Sequence, residues 1–198
     1  MIAISLVAAA ACAGLAVYGL WQQNNAIDLA LHRELQSDYA NMIAAIDSDT
    51  RAVQAVAHTV AEMQELKPLI RKQDRAGIIA LLDKTLKDIK PLGIELITIQ
   101  IPPGTALVRV HNPKAFGDDV TARRKMIVQS FQTKKPIGGV EAGRDVLNIF
   151  GTTPVLDGET LLGTVDVGAP FGETFVNAMK SRFGVDVAIH QINNDKIQ

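Results

Sequence analysis

Arg109 and His111 alternate with Val108 and Val110, so in an extended strand both polar side chains leave from one face. From there they can converge on one anion. The guanidinium offers a planar fork matched to a carboxylate, and the imidazole adds a donor whose charge responds near neutral pH. A solvated outer sheet face is the equal alternative for this pair. Downstream, Arg123, Arg124 and Lys125 form a basic run at a helix start, more often a solvated face, although the Arg124 guanidinium can turn inward. Asp166 stands between Val165 and Val167, and an acid on a central apolar strand has to face water, a basic partner or a bound ammonium group. Gly117-Asp118-Asp119 reads as a turn and helix cap rather than a metal site.

No catalytic constellation is present in the sequence. There is no Gly-x-Ser-x-Gly elbow, no phosphate loop ending in Gly-Lys-Ser or Gly-Lys-Thr, and no His-Glu-x-x-His pair. Cys12 lies in an apolar segment away from any base, and His32, His58 and His190 are dispersed without ligand spacing. The expectation is a protein that is not an enzyme and holds no cofactor or metal. Its 20 Lys and Arg against 21 Asp and Glu give a net charge of −1, without the basic excess that phosphate backbones demand, so no nucleic-acid partner is expected. A chain of 198 residues, 47% of them apolar, suffices for about one domain with a packed core, and its single cysteine excludes an intramolecular disulfide.

These residues need elements to position them. No charged side chain precedes Asp28, and Ile2 to Leu20 is almost wholly apolar or small, with Tyr18 and Trp21 near its end. About twenty helical residues cover a bilayer core, so an uncleaved transmembrane anchor over residues 1–21 is the first reading. A leader cleaved near Ala9 to Ala13 and a lipid at Cys12 are its rivals, both lacking a basic start. Residues 22–66 contain neither Gly nor Pro, whereas twelve of the fifteen glycines and seven of the eight prolines follow residue 90. A helical arm therefore precedes a turn-rich domain. In the arm, Leu35, Tyr39, Met42, Ile46, Val53, Val56, Val60 and Met63 follow steps of four and three, interrupted at Asp49. Such a stripe serves equally a helix packed on its own domain or a homodimer seam, and both can coexist. A second helix over 74–90, capped by Asp74, presents Ile78, Ile79, Leu82, Leu86 and Ile89.

Beyond Gly93 the period becomes that of strands. A hairpin is expected from Ile94 to Ile101 and Ala106 to His111 around Pro102-Pro103-Gly104, then a polar loop, a helix near Thr121 to Thr133, and a glycine-bearing stretch, Gly138 to Gly143. A second hairpin joins Leu147 to Leu156 with Leu161 to Val167 through Asp157-Gly158. A helix over Pro170 to Phe183 and a closing strand over Val185 to Ile192, pairing back onto the sheet, complete the reading. The fold class is α+β, helices around one antiparallel PAS-like sheet over 93–192.

The run Leu107-Val-Arg-Val-His-Asn-Pro113, then Phe116-Gly-Asp-Asp119, Arg123-Arg124, Gly138 to Gly143, Pro154-Val155 and Leu162-Gly-Thr-Val-Asp-Val-Gly168 resembles an extracytoplasmic Cache sensor domain of the chemotaxis-receptor type. The resemblance spans roughly residues 25–192 and is nearest to single-Cache modules, which by sequence are often grouped with double-Cache families. It implies a long helix leaving the membrane, a PAS-like sheet holding a small ligand, and an output through a receptor, kinase or cyclic-di-nucleotide enzyme. It also implies that residues 193–198 begin a truncated linker. Where citrate and dicarboxylate sensors of this type place a second arginine, Phe150 stands here, with Thr152 and Thr153 beside it. The implied ligand set is Arg109, His111, Arg124, Phe150, Thr152 and Asp166, suited to a monocarboxylate, an amino acid or another small polar molecule, amines included. The expected function is a periplasmic sensor domain on the inner membrane, dimeric through its long helix. The competing reading is a membrane-tethered structural or assembly protein that works through its helical arm and binds no small ligand.

Overall fold

The computed structural model describes residues 2–144, 146–190, 192–193 and 196–197, with the backbone course alone for residues 2–12, 192–193 and 196–197. Helix α1 runs Ile2–Ala61, and chain contacts divide the molecule into Met1–Ile43 and Ala44–Gln198. In the first unit Leu15, Tyr18, Trp21, Leu35 and Tyr39 are exposed. Among the described residues no helix is long and apolar enough to cross a membrane. Side chains 1–12, more than half of the expected anchor, lie outside those described.

The second unit holds the sheet. The arm helix ends at Ala61 rather than continuing to residue 66, and a turn leads to α2 (Leu66–Arg71), which carries Pro68 in its first turn, where a missing N–H breaks no helical bond. Asp74 caps α3 (Arg75–Ile89) by accepting the Gly77 amide at 3.0 Å, and Ile78, Leu82 and Leu86 form its buried stripe. A 3-10 turn (Lys90–Leu92) closes on Gly93 at φ 87°, a left-handed conformation that glycine enters without cost to a Cβ.

The strands are β1 (Leu96–Ile101), β2 (Thr105–Arg109), β3 (Ile137–Ala142), β4 (Leu147–Asp157) and β5 (Thr160–Pro170), with α4 (Lys125–Thr133) between β2 and β3 and α5 (Glu173–Phe183) after β5. They form one antiparallel sheet in the order β2-β1-β5-β4-β3, which establishes the expected α+β class. β3 is a strand that the glycine-rich sequence did not announce, since Gly138 and Gly139 weaken any period-2 pattern there.

Register gives each face of the sheet its character. The row Ile97, Val167, Gly151 and Gly138 belongs to one face, and a Cβ on Gly151 would stand 2.5 Å from the Gln54 amide nitrogen and 2.6 Å from the Val53 carbonyl carbon. Helix α1 thus rests on the strand main chain, with Val53, Ala57, Val60 and Ala61 buried there. The neighbouring row, Arg109, Thr98, Asp166 and Thr152, belongs to the other face. That face is roofed by α4 and the loop from residue 110 to 124, where Ala106, Val120, Ile127 and Phe131 form a small apolar cluster.

The closing strand expected over Val185 to Ile192 does not form. Residues 185–190 have no regular structure, Gln191 is outside the described residues, and β6 (Ile192–Asn193) pairs with β7 (Lys196–Ile197) in a separate ribbon. One sheet edge is already occupied: the Ala106 amide donates to the Asp118 carbonyl at 3.0 Å and the Gly117 amide to Ala106 at 2.8 Å, so a loop satisfies the free side of β2. Apolar alternation in 185–190 points to a strand but names no partner for it.

Candidate functional site

Asp166 is the centre of the polar face. Its carboxylate is 1% exposed and accepts from Arg124 through both guanidinium nitrogens, Nη1 at 2.7 Å and Nη2 at 2.9 Å. The Thr152 hydroxyl donates to it at 2.6 Å, and Gln100 Nε2 at 3.4 Å. Gln100 is held in turn by the Thr164 hydroxyl at 2.8 Å. Such saturation is what a buried acid requires, because any unpaired lone pair there carries the full desolvation cost.

Arg124 reaches this acid from the residue just before α4. Its Nε donates to Glu141 Oε2 at 2.8 Å, and its guanidinium lies 3.5 Å from the centroid of the Phe150 ring. Burial disfavours the charge on Arg124, but Asp166 and Glu141 outweigh it and raise the pKa further. Glu141 has a second role: its other oxygen accepts the Met126 amide at 3.1 Å, satisfying a free donor in the first turn of α4. The sequence reading missed Glu141 and Gln100. Glu141 is the sole acid in β3, and Gln100 with Thr98 supplies the polar positions in the alternation from Ile97 to Ile101; each was a readable but weak signal.

The expected convergence of Arg109 and His111 on one anion is only partly met. Arg109 is buried and engaged with the chain itself, donating from Nη1 to Asp118 Oδ1 at 2.6 Å, from Nη2 to Asp118 Oδ2 at 2.9 Å, and from Nη1 to the Ala115 carbonyl at 2.9 Å. Asp118 is therefore more than a turn residue. The Arg109 fork, assisted by Arg123 at 3.0 Å, holds its carboxyl well below the usual carboxylate range. Asp119 does take the turn role, accepting the Thr121 amide at 2.8 Å, but α4 starts too late for it to be the cap. His111 lies beyond the end of β2, is solvent-exposed, and reaches the same cavity as Arg109. Partial desolvation lowers its pKa; the Ile97 backbone pulls the other way, as does Asp166, while Arg109 adds to the lowering.

The cavity, about 280 Å³, lies between the starts of β1 and β4 and the ends of β2 and β5, with Glu95, Arg109, His111, Arg144 and Asn148 among its walls. A smaller recess of about 50 Å³ shares Arg109, His111 and Arg144 and continues inward to Arg124, Phe150 and Gln100. Of the six residues expected to bind ligand, Arg109 and His111 line both spaces and Arg124 and Phe150 the recess alone, whereas Thr152 and Asp166 line neither and pair with Arg124 or with each other. The roof is pinned from outside as well. Arg75 donates to the carbonyls of Leu107 at 3.1 Å and Pro113 at 2.8 Å while covering the Phe116 ring at 3.2 Å. Among the described residues no group of three acidic, His or Cys side chains could hold a metal ion.

The sheet thus carries a helical bed on one face and a charged, roofed network on the other, with a cavity at its margin. The family described as dCache_3, double sensory domain of two-component sensor kinase, matches residues 28–195, and the chain belongs to it. Among solved structures, the sensor domain of the V. cholerae histidine kinase DctB is similar with a TM-score of 0.60 at 13% identity, over 77% of this chain and 60% of that one. The ligand-binding domain of the Campylobacter jejuni chemoreceptor Tlp3 in complex with L-valine is similar with a TM-score of 0.53 at 11% identity, over 74% and 60%. The sensory domain of the same receptor with isoleucine bound gives 0.52 at 11%, again over 74% and 60%. The chain thus spans about three-fifths of these domains, and at such identities the likeness is one of fold. No curated protein matches it.

Proposed function

We propose that this chain is the extracytoplasmic sensor domain of a membrane-bound chemotaxis or other signal-transduction receptor, and that its polar sheet face binds a small carboxylate-bearing molecule, an amino acid among the candidates. The observation carrying this reading is the cavity that Arg109 and His111 reach together with Arg144. A domain that served only as a scaffold has no need of a hollow with basic walls that opens to solvent beside a buried charge network. The sheet order, family membership and fold likeness to sensors of both kinases and chemoreceptors support a PAS-like sensory role, and amino acids are bound by one of those neighbours.

In this reading the apolar N-terminal residues 1–21 anchor the chain, the exposed stripe at Leu35 and Tyr39 contributes to a homodimer seam, and residues 22–192 form the sensor. Ligand favours one arrangement of roof and sheet through its differential affinity for that arrangement. The test is thermal unfolding of the full chain, in detergent where needed, against carboxylates, amino acids and amines. A ligand at about 100 times its dissociation constant stabilises by roughly 2.7 kcal/mol, a rise of several degrees. His111→Ala and Arg144→Ala should abolish that rise; Arg109→Ala is less informative, because it also releases Asp118 and the roof. A well-folded chain that shifts with none of the compounds overturns the sensing reading in favour of the structural one.

A further inference from the structure

Asp166, Glu141, Phe150 and Thr152 together make a receptor for a planar or rounded cation: a bidentate acid, a second acid at right reach for a third N–H, and an aromatic floor. In this structure the cation it holds is a side chain of the same molecule. We propose that Arg124 is a resident stand-in, and that the sensed molecule carries a guanidinium or ammonium head which displaces it, with a carboxylate tail directed to His111 and Arg144. This rests on the carboxylate reading above and extends it to the opposite end of the ligand.

The exchange is reasonable on charge grounds. Two carboxylates face one guanidinium in the box, so a neutral or purely anionic ligand cannot replace Arg124 without leaving buried acids unpaired. A cationic head replaces it like for like. The box is within reach of the cavity, because Arg124 and Phe150 are its members that line the inner recess, and the recess and the larger cavity share Arg109, His111 and Arg144 as walls. The displaced guanidinium enters a space that now contains the ligand's carboxylate, so it gains a partner there. Glu141 couples the exchange to the roof: it binds Arg124 with one oxygen and the first turn of α4 with the other, so loss of Arg124 leaves Glu141 answering to a free ligand instead of to the residue before α4.

The probe is 4-guanidinobutyrate, with agmatine as the same head without a carboxylate and butyrate as the tail without a head, titrated calorimetrically into the full chain. If Arg124 is a competitor, Arg124→Ala tightens 4-guanidinobutyrate at least tenfold, and Arg124→Lys, which keeps the charge but loses the fork, tightens it less. Asp166→Asn abolishes the gain in either background. In the parent chain, saturating probe should accelerate hydrogen exchange at the Met126 amide, a readout that needs no variant to fold. Weaker binding in Arg124→Ala would make Arg124 a permanent ligand contact and overturn the proposal. Binding of butyrate equal to that of 4-guanidinobutyrate in the parent, with Met126 exchange unchanged, overturns the cationic head while leaving the carboxylate reading intact. Silence from all three compounds overturns the head and counts against the tail as well.

Discussion

On the helix-bearing face of the sheet, Ile97, Val167, Gly151 and Gly138 meet α1 with no polar partner required, and Val53 and Val60 bury completely against them. One residue further along each strand, Thr98, Asp166 and Thr152 bury just as fully, but there each polar atom has to be matched. The first face is specified by shape, and a change in volume is its natural failure. The second is specified by pairing, and its natural failure is a missing partner. Stability alone does not call for the second arrangement, since well-packed apolar residues commonly replace a buried ion cluster without loss. Its place beside a cavity sets this face apart from the helix-bearing one.

The strongest way to break the contrast is to unpair the charged face. Asp166→Ala leaves Arg124 buried with only Glu141, and the expected loss is about 3–5 kcal/mol by denaturant unfolding. Substitution of both members, Arg124→Met with Asp166→Leu, should recover much of it; a double variant as unstable as the single one would contradict the pairing account. On the apolar face the corresponding change is steric. Gly151→Ala sets a methyl against the α1 main chain and should cost about 1–3 kcal/mol, whereas Gly138→Ala meets the movable side chains of Gln54 and Thr50 and should cost less.

Smaller effects sharpen the comparison. Thr153 belongs to the apolar face, and its hydroxyl has no hydrogen-bond partner. Thr153→Val should therefore be neutral or stabilising by up to about 1 kcal/mol, while the same change at Thr152, which donates to Asp166, should destabilise. Proton uptake gives the last test. The folded-state pKa of His111 is lowered, so the unfolded chain binds more protons below the ordinary value of about 6.5, and the stability His111 contributes falls as pH drops through that value. Asp118 acts in a lower window: its pKa is also depressed, so its contribution is present above about 3.9 and is lost on further acidification. His111→Gln should flatten the first slope, and Asp118→Asn the second, in stability measured against pH.

Much of this was legible in the residues. The Asp74 cap, the stripe of α3, both hairpins and the change of period at Gly93 are local signals, and the structure contains each of them. Arg124, Phe150, Thr152 and Asp166 could be named singly, yet their mutual contact depends on the register of β4 against β5 and on the path of the roof, neither of which a linear pattern encodes. Asp166 illustrates the limit: its flanking valines demanded a partner but left water, a base and a ligand equally open. Arg109 went the other way, since strand alternation located its face correctly but could not foresee that Asp118, nine residues on, would fold back and occupy its fork. The strand expected at 185–190 is absent for a related reason, since alternation within a segment does not specify which strand, if any, it will pair with.

The close seat of α1 on Gly151 has a mechanical consequence. Where two elements meet through side chains, rotamer changes absorb small displacements and the motion of one is damped before it reaches the other. At Gly151 the main chain of β4 faces the main chain at Val53 and Gln54 with no such cushion between them. A shear of β4 at this point has no side chain to absorb it, which makes Gly151 a stiff joint between the middle of the sheet and the turn of α1 at Val53 and Gln54.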